Sequence, residues 1–324
     1  MNRSKPIVLL KGGRTAGGEA SARSHTGALA GSYRVLRYAL RQAGVVEVTR
    51  AEELLSIGQT LAGQPAMAVG TGVAILADGG GHATLAADAL ADLDAPLARL
   101  GEPTRHRLRS LLGPAASVVN PIDLAGAADR GPRVFAEVLE TIVADSAVGG
   151  ILVTGLLGGY AIRFAEELAL EETQAASRMA EIAAAAGKPL VVHTLYAAER
   201  TKPLRRLAET GVPVLGSLEV AARCLMAARD RGLALAPVPS RSRAIGLPPG
   251  PPTPPRRAIL AEPEVRELVA GWGVPVVPAT LCRTAEEAAD AARLAGGPVA
   301  VKVVSPAIAD KSDAGGVALG VNGP

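Results

Sequence analysis

Aromatic side chains are nearly missing from this 324-residue chain, which has two Phe, four Tyr and one Trp, 2 % of the total. The 48 % of hydrophobic residues must therefore build an aliphatic core of Ala, Val, Leu and Ile, a composition that suits helices packed on buried parallel strands. Nucleic acid loses its stacking platform. The 34 basic against 31 acidic residues leave a net charge of only +3, with the arginines scattered rather than gathered on one stripe, so no nucleic-acid partner is expected. Cysteine is also scarce. Cys224 and Cys282 stand far apart in helix-like and loop-like contexts, which excludes a disulfide framework and any metal-ligand spacing, and a reducing cytoplasm is the natural setting. Long apolar runs are missing as well. The N-terminus offers only Ile7 to Leu10, too short for the core of a signal peptide, and no segment approaches the span of a membrane helix.

What is present is a beat of strands and helices. KPIVLL (5–10) reads as a short buried strand. A glycine-rich loop then leads to a helix with apolar positions Leu29, Tyr33, Leu36 and Leu40, ended by Gly44. VVEV follows as a strand, and Thr49 with Glu52 reads as a capping box ahead of Leu54 and Leu55. A fuller unit starts near residue 67. It contains strand VAILA (73–77), loop DGGGH, a helix from about Ala83, a turn at NPIDLAG (120–126), strand GGILVTG (149–155), a glycine turn LLGGY, a long Ala/Glu-rich helix, and strands at 189–195 and 212–216. That alternation predicts an α/β fold with a doubly wound parallel sheet, whose ligands sit at the carboxyl ends of the strands. Residues 237–255 hold eight prolines and read as a semi-rigid linker. Beyond them the pattern predicts a helix around Glu262 to Gly271, a strand PVV, a helix capped by Thr284 and Glu287, and a strand PVAVKVV running into the loop SPAIADKSDAGGV. The expected boundaries are 1–66 for a partial first unit, 67–235 for the doubly wound domain, 236–257 for the linker and 258–324 for the start of a further domain.

Three glycine-rich turns lie between strand and helix: around His25, at Gly79 to Gly81, and at Gly158 with Gly159. Backbone N–H groups at such a helix start favour an anion such as phosphate, although glycine is equally at home there for packing alone. None of the turns fits GxGxxG or GxxxxGK[ST]. His25, in ARSHTGALAGS, is the unusual member, because an imidazole is a nucleophile at neutral pH and the same N–H groups would hold a phosphoryl group on it. Its plainer reading is a capping or surface histidine. His82, His106 and His193 read as an exposed loop, a basic surface helix and a strand end. Lys302, within PVAVKVV, needs an anionic partner if its strand is buried and none if it points to water.

Taken together, SHTGALAGS, the two later glycine turns and VKVVSPAIADKSDAGGV resemble the NDP-forming acyl-CoA synthetases, the ADP-forming acetate–CoA ligase group related to succinyl-CoA synthetase. The resemblance covers essentially the whole chain. It implies, in order, the C-terminal half of a first succinyl-CoA ligase-like domain, a second, flavodoxin-like ligase domain, a linker and the opening of an ATP-grasp domain. It implies a reaction in which acid, CoA and ATP give acyl-CoA, ADP and phosphate through an acyl phosphate and a phosphohistidine. The histidine would be His25, with Thr26, Gly27, Gly158 and Gly159 holding phosphate. Gly79 to Gly81 and Asn120 to Asp123 match structural signatures of the group. Lys302, Lys311 and Ser312 would meet the nucleotide phosphates. Asp310 stands where many ADP-forming members carry a second histidine. The resemblance places the sites for CoA and Mg2+ outside this chain, in a flanking region or a partner chain, so an oligomer is expected. The alternative is a non-catalytic binding or scaffold protein descended from the same family.

Overall fold

The structure is a computed structural model, and it describes residues 5–26, 32–124, 131–236, 260–308 and 310–322; within 23–26 only the backbone is described. The chain divides into two compact units, 1–237 and 238–324.

The first unit opens with β1 (Val8–Leu10) and α1 (Ala16–Thr26), then α2 (Tyr33–Gln42), β2 (Val46–Val48) and α3 (Ala51–Gly63). β1 and β2 pair in parallel, Val8 opposite Val46. Leu29, placed on the α2 face by its spacing, lies outside the described residues. Gly44, at φ +68°, ends α2 by donating to the Arg41 carbonyl at 3.0 Å while Val45 reaches Leu40 at 2.9 Å, a turn that an L side chain resists. The cap of α3 differs from the sequence expectation. Its N-cap residue is Arg50, and Glu53 rather than Glu52 reaches back, accepting the Thr49 N–H at 3.3 Å.

The main sheet follows. β3 (Gly72–Ala77), α4 (Gly80–Ala91), α5 (Glu102–Leu112), β4 (Ile122–Asp123), α6 (Arg133–Val143), β5 (Val148–Gly155), α7 (Tyr160–Arg163), α8 (Leu168–Ala185), β6 (Leu190–Thr194), α9 (Lys202–Glu209), β7 (Val214–Leu215) and α10 (Leu218–Leu235) complete the unit. The strands are all parallel, in the order β4-β3-β5-β6-β7. Counted within the sheet this is 2-1-3-4-5, the flavodoxin-like winding.

Alternation along the strands sorts the core into two layers. Ala74, Leu76, Ile151, Val153 and Val192 pack with Phe135, Leu139, Met179 and Leu204 of α6, α8 and α9. Val73, Ile75, Leu152 and Val191 pack on the other side with Leu90, Ala221 and Leu225, and with Val46, Val48 and Ile57 of β2 and α3. The segment around β2 and α3 therefore shares a core with the sheet rather than building its own.

NPID, read as a turn, contributes the edge strand β4. Its Asn120 does strand work with its side chain. The amide oxygen accepts the Ile75 N–H at 2.9 Å, and the amide nitrogen donates to the carbonyls of Val73 at 2.8 Å and Ala98 at 3.0 Å.

The second unit contains α11 (Glu262–Gly271), α12 (Ala285–Ala295) and an antiparallel pair, β8 (Val299–Lys302) with β9 (Val317–Val321). Thr284 caps α12 as its sequence implies, accepting the Glu287 N–H at 3.2 Å while Glu287 accepts the Arg283 N–H at 2.6 Å. The strand expected at PVV is absent: residues 274–280 are irregular and exposed, and no strand among the described residues pairs with them. β9 was not foreseen, because its glycine breaks the apolar run. Ala292 is the one buried residue among those described in this unit.

Replacing Asn120 with Ala removes three hydrogen bonds and deprives the Ile75 N–H and the Ala98 carbonyl of this partner, while the Val73 carbonyl keeps the Ala98 N–H. A loss of about 2–4 kcal/mol is expected, measured as a fall in urea midpoint with an unchanged slope.

Candidate functional site

In a 2-1-3-4-5 sheet the winding reverses between the first and third strands, here β3 and β5, and their carboxyl ends open a crevice. The residues there are polar. Asp78 follows β3, is almost fully buried, and its Oδ2 accepts the Leu156 N–H at 2.8 Å and the Tyr160 hydroxyl at 3.4 Å. Its Oδ1 has no hydrogen-bond partner among the described residues, and His82 Nδ1 lies 3.7 Å from it. Gly155, at φ +131°, has to be glycine, since a Cβ would stand 1.7 Å from Asp78 Oδ1. Burial raises the Asp78 pKa.

The turn after β5 is tied by a second buried carboxylate. Glu172, brought from α8, accepts the N–H groups of Gly158 at 2.6 Å and Tyr160 at 3.1 Å. Thr201 adds a hydroxyl to the Gly158 carbonyl at 2.7 Å. Burial again raises the Glu172 pKa, with the Asp78 charge pushing the same way. On the next strand, His193 is buried with Nδ1 2.7 Å from the Thr154 hydroxyl. Burial, followed by the nearby His82, lowers its pKa. Phe135 and Phe164, the chain's two phenylalanines, flank Tyr160 with ring centroids at 6.0 and 5.4 Å, fixing the ring whose hydroxyl meets Asp78.

These contacts revise the glycine-turn expectations. The N–H of Gly158 is held by Glu172, and that of Gly159 donates to the Leu156 carbonyl at 2.8 Å; the helix they open, α7, has four residues. Packing accounts for both glycines, because a Cβ at Gly158 would stand 2.3 Å from Leu204 and one at Gly159 2.1 Å from the Tyr196 ring. His25 is also placed differently. Its backbone lies in the last turn of α1, not at a helix start, since the helix formers of EASAR outweigh Gly17 and Gly18. The side chains of His25 and Thr26, and all of Gly27, lie outside the described residues. His193 lies at a strand end, as its sequence implies, in β6; His82, read as an exposed loop, is in the first turn of α4, and only tertiary structure brings the two to the polar crevice.

In the second unit Lys302 and Lys311 do come together. Lys302 is 42 % exposed on β8, so its strand is not buried, and its partner is nonetheless an anion: Glu262 Oε1 at 3.4 Å. Lys311 meets Oε2 of the same carboxylate at 2.7 Å. Ser312 sits in the following turn, its carbonyl accepting the Gly315 N–H at 3.1 Å.

Because Asp78 and Glu172 hold their protons more tightly folded than unfolded, their protonated forms favour the fold. That contribution is complete below the ordinary carboxylate range and fades as pH rises through the raised pKa values. Wild-type stability should therefore decline over this window more steeply than that of Asp78→Asn/Glu172→Gln, as read by urea unfolding at a series of pH values from 4 to about 7.5.

Residues 254–324 match the ATP-grasp domain family, and residues 1–61 match the family described as succinyl-CoA ligase like flavodoxin domain. Acetate–CoA ligase (ADP-forming) I of Archaeoglobus fulgidus is 29 % identical over 98 % of this chain and 45 % of its own length. The enzyme named acetate–CoA ligase (ADP-forming) I in Pyrococcus furiosus has separate subunits. Its alpha subunit is 28 % identical over 70 % of this chain and 47 % of itself, and its beta subunit 44 % identical over 19 % and 27 %. The solved dinucleotide-forming acetyl-coenzyme A synthetase 1 of Ca. Korarchaeum cryptofilum, in complex with phosphate and ADP, shares the fold with a TM-score of 0.60. It is 23 % identical and covers 71 % of this chain and 48 % of the solved one. The chain spans less than half the length of the curated relatives it matches along its whole extent. In its matched domains and their order, it is similar along almost its whole extent to the ADP-forming acyl-CoA ligases.

Proposed function

We propose that this chain is the phosphoryl-carrying part of an ADP-forming acyl-CoA synthetase, which converts a carboxylic acid, CoA and ATP to acyl-CoA, ADP and phosphate. The observation that supports this most is the order of parts: a ligase-like segment with SHTG, a 2-1-3-4-5 sheet and an ATP-grasp opening. His25 is the carrier in this reading. In the direction of ATP formation, a neutral imidazole nitrogen attacks the phosphorus of an acyl phosphate. The P–N bond forms, the P–O bond breaks, and the electron pair leaves with the carboxylate. ADP then takes the phosphoryl group by the reverse logic, its terminal oxygen replacing the histidine nitrogen.

Thr26 and Gly27 adjoin the phosphoryl group in this reading. Since Gly158 and Gly159 have their N–H groups engaged, their part is to hold the crevice wall through Glu172. The start of α4 at Gly79 to Gly81 supports the anion through the dipole of a twelve-residue helix. Lys302, Lys311 and Ser312 serve the nucleotide phosphates. Mg2+ would shield those phosphates when bound, but among the described residues no group of three His, Cys, Asp or Glu side chains could hold a metal ion; the magnesium and CoA sites are assigned to a flanking region or a partner subunit. No helix among the described residues is long and apolar enough to cross a membrane, consistent with work on small soluble substrates.

The test is phosphoryl labelling from labelled acyl phosphate, with the complementary CoA-binding and ATP-grasp parts supplied. An acid-labile, base-stable label on wild type that is lost in His25→Asn is expected. Label persisting in His25→Asn overturns the carrier assignment, and no label on wild type favours the non-catalytic descendant.

A further inference from the structure

The second unit gathers three cations around one carboxylate. Glu262 is the first residue of α11, and its neighbour Glu264 fixes that start by accepting the Ala261 N–H at 2.7 Å. Arg266 lies one turn further on, with its Nη1 3.5 Å from Glu262 Oε1. β8 delivers Lys302. The loop after it returns on itself through Val303 N–H to the Gly316 carbonyl at 2.8 Å and Gly316 N–H to the Lys311 carbonyl at 2.7 Å, and so brings Lys311 to Glu262 Oε2. Three separate elements thus converge on a single side chain. All four side chains keep between 20 % and 42 % of their surface exposed, so the cluster is open to a solute.

The charges do not balance. One carboxylate offsets one cation and leaves two positive charges, held a few ångströms apart, that repel one another. The hydrogen bond from Lys311, first, and then the nearby Lys302 charge hold the Glu262 pKa below its ordinary value, so the carboxylate stays ionised at neutral pH. A fold without another use for this cluster would gain by losing a lysine; a multivalent anion with several oxygens completes it.

We propose that Glu262 is a resident counter-ion in a polyphosphate site: it holds Lys302, Lys311 and Arg266 in one cluster while the site is empty, and the phosphates of a nucleoside di- or triphosphate displace it. This rests on the nucleotide reading of Lys302 and Lys311, and adds Arg266 as a third phosphate-binding cation and Glu262 as the positioning residue. The carboxylate has two opposed effects. It prepays the gathering of three flexible side chains, and it competes with the incoming anion for them. Competition outweighs gathering, because the loop closure and the α11 start already bring the three cations close, whereas a negative charge within 4 Å opposes every phosphate oxygen that approaches.

The experiment is calorimetric titration of the whole chain with ADP and, separately, with inorganic tripolyphosphate at low salt, where screening is weak. Glu262→Gln is expected to bind both probes about fivefold more tightly than wild type, and Lys302→Gln, Lys311→Gln and Arg266→Gln about fivefold more weakly, the size expected of partly exposed charge pairs. Glu262→Asp keeps the negative charge and the helix start but is one methylene too short to reach both ammonium groups, and should fall between wild type and Glu262→Gln. In thermal unfolding, unliganded Glu262→Gln should melt below wild type and gain more from tripolyphosphate, a response that a purely structural role would not give. If the lysine variants weaken binding while Glu262→Gln binds no better than wild type, the counter-ion proposal is overturned and the nucleotide reading stands. If the lysine variants bind as wild type does, or if neither probe binds wild type or Glu262→Gln, both fall.

Discussion

The double-sided burial of the parallel sheet is the constraint on which the first unit depends. β3 and β5 are buried at every residue, and the one polar side chain on either strand is Thr154, next to the carboxyl end of β5. Polar chemistry is driven to the carboxyl ends, where Asp78, Thr154, Glu172 and His193 crowd together. Each of these has to find a partner inside the fold, because water is kept out by the same helices that cover the sheet. The aliphatic composition serves this arrangement directly. The two phenylalanines are used at the crevice, where their rings position Tyr160, and small aliphatic side chains fill the layers elsewhere.

The general plan of the first unit was legible in the sequence. VAILA and GGILVTG are unbroken apolar runs flanked by glycine, and such runs have few homes other than the middle of a parallel sheet. The edge was not legible. β4 is two residues long, and part of the pairing on that side of β3 comes from the Asn120 amide side chain, which no periodicity reports. The second unit shows the converse. The start of its second helix was readable because Thr284 and Glu287 announce it, whereas PVV failed as a strand because β propensity without a neighbouring strand among the described residues does not pair the backbone.

The candidate site was legible in kind and misread in detail. Glycines at Gly158 and Gly159 signal that backbone comes close to something, and the sequence cannot say whether that is phosphate, a leucine side chain or a tyrosine ring. Here Leu204 and Tyr196 claim the space, Glu172 claims the Gly158 N–H and the Leu156 carbonyl that of Gly159. Glu172 lies fourteen residues from Gly158, in a helix where glutamate is expected to face water, so only its burial reveals its role. Lys302 shows the same ambiguity. An anionic partner was foreseen for a buried strand, and the partner exists although the strand is exposed.

Asn120 has a consequence for how the molecule meets its neighbours. The outer side of β3 is covered by β4 only at Leu76 and Ala77, and an open strand edge there would be a template for another chain. Val73 instead bonds the Pro96 carbonyl at 2.8 Å and accepts from Ala98 at 2.9 Å, and Ile75 is taken by the Asn120 amide at 2.9 Å. One side chain and one crossing loop thus close the seam that a short edge strand leaves open, and a very apolar strand is kept from recruiting a foreign one and seeding aggregation.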